Sequence, residues 1–284
     1  MLALGALISG CEEMIETEAL QVLTPVIEAL SDSLPENRSI SWWVLGRFAN
    51  MMSRNENLEI LRKCFQSVEG KMKESEPLIQ DAACTAMIKY LECSTFQVME
   101  SLGVLESLLN TIKEGFINYG AKNKLRCMDV LASLTTICGQ QLEESNHLQI
   151  YKNFFLPTVM SAFYHSPLDE AAFPLSMECL QSLACNVPSI VEPYVKELLT
   201  RSCEVLAETL SDYQEALTDA TEDALQQQEI NGNGNSNNVR NAHGALPSLS
   251  NAETAMEFIS GIIATFANAS FDVLELVDAV YGED

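Results

Sequence analysis

A chain of 284 residues with 47% hydrophobic content is long enough to bury an extensive core and too apolar to be globally disordered. Its 40 acidic and 16 basic residues give a formal charge of −24, the wrong sign for neutralising phosphates, which argues against direct binding of DNA or RNA. No run approaches the ~18 uninterrupted apolar residues of a membrane-spanning helix. An acidic surface suits long-range attraction of basic partners, although solubility alone explains the charge equally well.

Six apolar helical segments recur along the chain, most of them about 40–50 residues apart, and five of them follow another apolar-periodic segment. Leu2–Cys11 comes first. It has no basic residues ahead of its apolar run and resembles the later segments, so it reads as a helix and not a secretory signal. Leu20–Leu30 precedes Ser39–Met51, with Pro35 in the break between them. Ile60–Val68 precedes Asp81–Leu91, where Ser75 is a candidate N-cap with Pro77 just inside. Leu105–Ile117 precedes Leu125–Cys138, and Gly120 and Gly139 mark ends of apolar-periodic stretches. Phe154–Phe163, with Pro157 near its start, precedes Ser176–Ala184, and Ser166-Pro167 repeats the cap arrangement. Ile190–Leu206, with Pro193 near its start, precedes Thr254–Ala267. Two-helix units of this length, joined by short turns, are the signature of HEAT or armadillo arrays. The expected fold is all-α: a HEAT-repeat superhelical solenoid of antiparallel helix pairs, which presents an extended binding surface.

Residues 1–212 are expected to form the repeats, the first one partial. Residues 213–250 read as a flexible insertion within a repeat. From Tyr213 the apolar periodicity fades through Gln226–Gln228 into Asn231–Asn238, a run with no apolar area to offset its ordering entropy. The acidic part from Asp212 to Gln228 can extend a helix before order is lost. Residues 251–284 are expected to end that repeat and open the next with Phe271–Val280. Neither end shows the polar outer face of a capping repeat, so a segment of a longer array is expected.

The nine cysteines lie singly in apolar helix faces without a CxxC pair, which fits small buried hydrophobes in a reducing compartment. His147, His165 and His243 are not at ligand spacing with them, so no metal or cofactor is expected. Gly-rich phosphate loops, GxSxG and HExxH are all absent, and enzymatic activity is not expected. Binding features are present instead. Trp43 and Arg47 are four apart and share a helix face, offering an aromatic platform beside a guanidinium. Trp42 lies about 100° around the helix and is expected in the core. Glu92 ends one second helix. Asp129, between Met128 and Val130, either faces the groove or caps a neighbouring helix.

The strings RSISWWVLGRFAN (Arg38–Asn50), QDAACTAM (Gln80–Met87), YGAKNKLRCMDVLASL (Tyr119–Leu134) and FPLSMECLQSLA (Phe173–Ala184) resemble, in order and spacing, successive HEAT repeats of transportins. EFISGIIA (Glu257–Ala264) continues the resemblance to this karyopherin-β2 branch of nuclear import receptors, so it covers essentially the whole chain. The resemblance implies the middle of a receptor whose concave face binds basic, extended proline-tyrosine nuclear localisation signals of cargo proteins. Trp43 and Arg47 match a cargo-contacting pair, Glu92 and Asp129 match acids that meet the basic part of the signal, and Glu257 matches a further acid. Thr136 and Ala264 stand where the family carries acids, so the groove is less acidic than the pattern. The resemblance further implies shuttling between cytoplasm and nucleus, with Ran-GTP and nucleoporins as partners of the full-length receptor. The Ran-binding repeats, the acidic release loop and the C-terminal repeats are expected outside this sequence. The competing reading is a HEAT-repeat scaffold or adaptor such as a phosphatase regulatory subunit. Convergence of Trp43, Arg47, Glu92 and Asp129 on one face separates the two.

Overall fold

The computed structural model describes residues 2–8, 19–54, 58–168, 170–231 and 249–266, and among them the regular elements are helices with no strand. Two compact units form, Met1–Val191 and Glu192–Asp284. The first holds α1 (Leu2–Ile8), α2 (Ala19–Ala29), α3 (Pro35–Arg47), α4 (Ala49–Arg54), α5 (Leu58–Met72) and α6 (Pro77–Glu92). It continues with α7 (Phe96–Leu102), α8 (Leu105–Asn118), α9 (Ala121–Cys138), α10 (Leu156–His165) and α11 (Ala172–Asn186). The second holds α12 (Val195–Asn231) and α13 (Ser250–Phe266).

In the first unit α2–α3, α5–α6, α8–α9 and α10–α11 pack as helix pairs, and the second helices α1, α3, α6, α9 and α11 lie side by side in one row. This is the HEAT-type stack expected from the sequence. Its periodicity shows in the bonds between successive pairs. The Tyr90 hydroxyl donates to the Leu45 carbonyl 45 residues back, at 3.2 Å. Asn123 Nδ2 donates to the Pro77 carbonyl 46 residues back, at 2.8 Å, and the Ser189 N–H donates to Glu143 across 46 residues, also at 2.8 Å. Offsets of 45 and 46 residues show that each bond joins one repeat to the next, as expected of a quasi-one-dimensional array.

Local chemistry sets the helix ends. Pro35 and Pro77 occupy the first turns of α3 and α6, where a missing N–H costs nothing. Three expected features are corrected. The N-cap of α6 is Glu76 and not Ser75, and no side chain caps it. Ser166-Pro167 does not start α11: Pro167 sits in a turn in which its carbonyl accepts the Glu170 N–H, and the helix opens at Ala172. Gly120 precedes α9 and opens it, whereas Gly139 closes it at φ +54°. The expected Ser39–Met51 helix is interrupted at Phe48, where the Leu45 carbonyl accepts both the Phe48 N–H and the Tyr90 hydroxyl. Helix α7, unread from the sequence, is capped by Thr95 and closed by Gly103 at φ +65°, a conformation that favours glycine.

Polar residues beyond Tyr213 continue α12 as helix to Asn231, with Leu217 exposed. The insertion expected over 213–250 therefore begins as helix, and its residues 232–248 lie outside the described residues, as does Phe271–Val280. Helix α13 packs on α12 through a face bearing Ala255, Phe258 and Ile262, at helical spacing.

Cys64, Cys84, Cys127, Cys138 and Cys179 are buried, but Cys185 is exposed, because its place on α11 faces solvent. Cys11 lies outside the described residues. Burial pushes the Cys138 and Cys179 thiols from 9.0 up to about 12. The thiolate is the reactive form, so at pH 8 iodoacetamide is expected to label Cys185 and leave Cys138 and Cys179 unmodified, as read by peptide mass mapping. A raised thiol pKa favours the protonated fold. That contribution is intact below pH 9 and is lost as pH rises toward 12, so labelling of the two buried thiols should appear on alkaline unfolding.

Candidate functional site

The row of second helices keeps one edge open. Along α3 the exposed or half-buried positions include Glu36, Ile40, Trp43 and Arg47; along α6 they include Asp81, Thr85, Lys89 and Glu92; along α9, Arg126, Asp129 and Thr136. Steps of three and four keep each set on one face of its helix. Contacts across helices join the sets: Trp43 and Arg47 line a cleft with Thr85 and Lys89, Arg126 reaches Asp81, and the Thr136 and Ser182 hydroxyls meet at 3.0 Å. Trp43, Arg47, Glu92 and Asp129 therefore share this edge.

Trp43 is 36% exposed, whereas Trp42 beside it is fully buried, so the two tryptophans divide as their angular offset requires. The benzo edge of Trp43 fits a notch at Gly5 of α1, where any side chain would overlap the ring. The Arg47 guanidinium carbon lies 5.1 Å from the ring centroid, so the cation and the platform form one unit and not two separate contacts. Next to them opens a cleft of about 390 Å³, lined also by Asn50, Thr85 and Lys89. Gly46 makes it possible: its lack of a side chain lets α3 approach the Ala86 backbone of α6, which brings Lys89 alongside.

The acids are less available than their sequence positions imply. Glu92 ends α6 as expected, but its carboxylate is paired with Lys89 at 2.6 Å, with both side chains about half exposed. Among the described residues Asp129 caps no neighbouring helix. Arg126 bridges it, at 3.3 Å, to Asp81, at 2.8 Å. Burial raises the pKa of Asp129 and the Arg126 contact opposes that rise, while the Asp81 bond raises the pKa of Arg126. Lys89, Arg126 and Asp81 were not legible as site residues. The signal for the first and second was a base three residues before each acid, and Asp81 needed the register of the neighbouring helix.

In the second unit, Glu257 and Ala264 are both exposed on α13, seven residues apart. His165 is exposed with Nδ1 2.9 Å from the Ser161 carbonyl, His147 precedes a short helical turn, and His243 lies outside the described residues. Among the described residues no three His, Cys, Asp or Glu side chains are placed to hold a metal ion.

No family model matches the chain. Transportin-1 of Homo sapiens is 26% identical over 211 residues, covering 74% of this chain and 23% of that protein. Importin subunit beta-2 of Schizosaccharomyces pombe is 24% identical over 296 residues, covering 100% of this chain and 28% of that protein. The chain thus spans about a quarter of the length of these relatives. Among solved structures, the karyopherin Kap121p superposes with a TM-score of 0.52 at 15% identity, covering 86% of this chain and 22% of that one, which shows the shared fold. Along the helix-pair stack the chain is similar in sequence to transportins and importin subunit beta-2, and it shares its fold with a karyopherin.

Proposed function

We propose that the chain is a cargo-binding segment of a nuclear import receptor, taking basic proline-tyrosine nuclear localisation signals along the open edge of its second-helix row. The observation that carries this reading is the contiguity of Trp43, Arg47 and Lys89 around one cleft, with Glu92 paired to Lys89 beside it and Asp129 further along the same edge. A peptide proline or tyrosine ring packs on the exposed part of Trp43. Upstream basic residues take Glu92 and Asp129 as partners. Glu92 exchanges Lys89 for a peptide cation at little cost, because an exposed pair is worth only about 0.2–1 kcal/mol. Asp129 contributes less than a lone acid would, because Arg126 already offsets it. Glu257 adds a further acid on α13. In the full-length receptor, Ran-GTP and nucleoporins are the remaining partners, and the receptor moves between cytoplasm and nucleus.

Titration of a fluorescent peptide, a basic cluster followed by Pro-Tyr, tests the reading. Asp129→Asn is expected to weaken binding about two-fold at low salt and negligibly at high salt, since the lost contact is largely screened. Thr136→Asp, which restores an acid on the exposed side of α9, should tighten it by a similar factor at low salt. Equal binding of a peptide with Ala-Ala in place of Pro-Tyr would sink the assignment.

A further inference from the structure

Along the open edge, Arg126 is a cation that joins neighbouring second helices. Its Nε lies 2.8 Å from the Asp81 carboxylate on α6, and its Nη1 lies 3.3 Å from the Asp129 carboxylate one turn further along α9. Two carboxylates from adjacent repeats thus share a single guanidinium. Lys89, by contrast, pairs with Glu92 inside its own helix. The side chains of Arg126, Asp81 and Asp129 are 42%, 28% and 23% exposed, so the arginine is the outermost of the three. Its long stem can swing the guanidinium into water, whereas the short aspartates stay where their helices put them.

We propose that Asp81 and Asp129 form a subsite for a peptide arginine, and that Arg126 is its built-in occupant, which the incoming guanidinium must displace. The inference rests on the peptide-binding reading above and deepens it: Asp81 joins the contact residues, and Arg126 becomes a specificity-determining one. A planar guanidinium presents several N–H donors in fixed directions, which is how one side chain serves two carboxylates at once. A peptide arginine that repeats both contacts exchanges one bridge for another, and the displaced Arg126 is solvated in its place. A lysine ammonium is a point charge that cannot copy the bridge, so it gains less than it displaces. Competition from within the chain therefore selects against weakly basic segments, while the acidic surface still attracts basic ones at long range.

The test is anisotropy titration of a Pro-Tyr peptide with an arginine cluster against the 284-residue chain at physiological ionic strength. Arg126→Gln is expected to tighten binding about three- to five-fold, the scale of an exposed ion pair, with an unchanged circular dichroism spectrum. Arg126→Lys keeps the charge, loses the fork and should tighten binding to an intermediate degree. Lys122→Gln makes the same charge change one turn earlier on α9, at an exposed position, and should shift affinity by less than about 1.5-fold. Asp81→Asn discriminates competition from a general change of field. In the parent Asp81 is engaged by Arg126, so its loss should alter affinity by less than about two-fold; in Arg126→Gln it is open, and its loss should cancel the gain. Parent-like binding by Arg126→Gln overturns the inference, as does a gain that survives Asp81→Asn undiminished. Both outcomes leave the peptide-binding reading standing. Failure of the peptide to bind the parent and every variant ends both readings.

Discussion

Trp42→Ala is expected to destabilise the first unit by about 3–5 kcal/mol, the usual range for emptying a large aromatic site in a core. The indole is fully buried, and it sits on α3, which packs on α1, α2 and α6 at once. Against a typical total of about 5–15 kcal/mol, such a loss lowers the thermal midpoint on the order of 10 °C. Trp42→Phe should lose much less. The indole N–H is buried with no hydrogen-bond partner among the described residues, so the wild-type residue already carries the desolvation of that donor. Phenylalanine removes the donor and keeps most of the ring. Circular dichroism melts of Trp42→Ala, Trp42→Phe and Trp43→Ala make the comparison. The order expected is a large loss for the first and small losses for the other two. A Trp43→Ala midpoint as low as that of Trp42→Ala would show that the two indoles do not divide between core and surface.

The division between those neighbours was legible because helical geometry alone decides it: 100° of rotation moves a side chain from the row interior to its edge. The pairing of helices was legible for a similar reason, since apolar spacing names the buried face wherever it is strong. Pro35 and Pro77 announced helix starts because proline tolerates the first turn and little else in a helix. Sequence reading lost accuracy where tertiary context decides. The acidic stretch after Tyr213 has weak apolar periodicity, so the sequence allowed a helical extension only to Gln228, and propagation from a packed first half carries α12 on to Asn231. The Phe48 break depends on a carbonyl that Tyr90 satisfies from 45 residues away. At the site, the positions of Trp43, Arg47, Glu92 and Asp129 were readable, but their state was not. That Arg47 covers the ring, that Lys89 holds Glu92 and that Arg126 ties Asp129 to Asp81 all depend on how side chains meet once the helices are packed.

Those pairings dictate the second large effect. Trp43→Ala is expected to weaken a basic Pro-Tyr peptide about ten-fold or more, and by the same factor at low and high salt. The reason is a comparison of magnitudes. Truncating a well-seated tryptophan at an interface commonly costs about 2 kcal/mol or more, most of it from buried apolar area that ions do not screen. The acids offer less: Glu92 is exposed and paired, Asp129 is shared with Arg126, and each exposed pair is worth about 0.2–1 kcal/mol. At physiological ionic strength the Debye length is about 8 Å, so steering by the −24 field of the whole chain is damped while ring contacts persist. Removing the indole also releases Arg47 from its position over the ring, which costs the peptide an oriented donor. Trp43→Phe separates the two contributions: it retains a ring for the peptide and for Arg47, and should recover most of the affinity. Anisotropy titrations of parent, Trp43→Ala and Trp43→Phe at two salt concentrations give the answer. Parent-like binding by Trp43→Ala at both concentrations would place the peptide elsewhere on the chain.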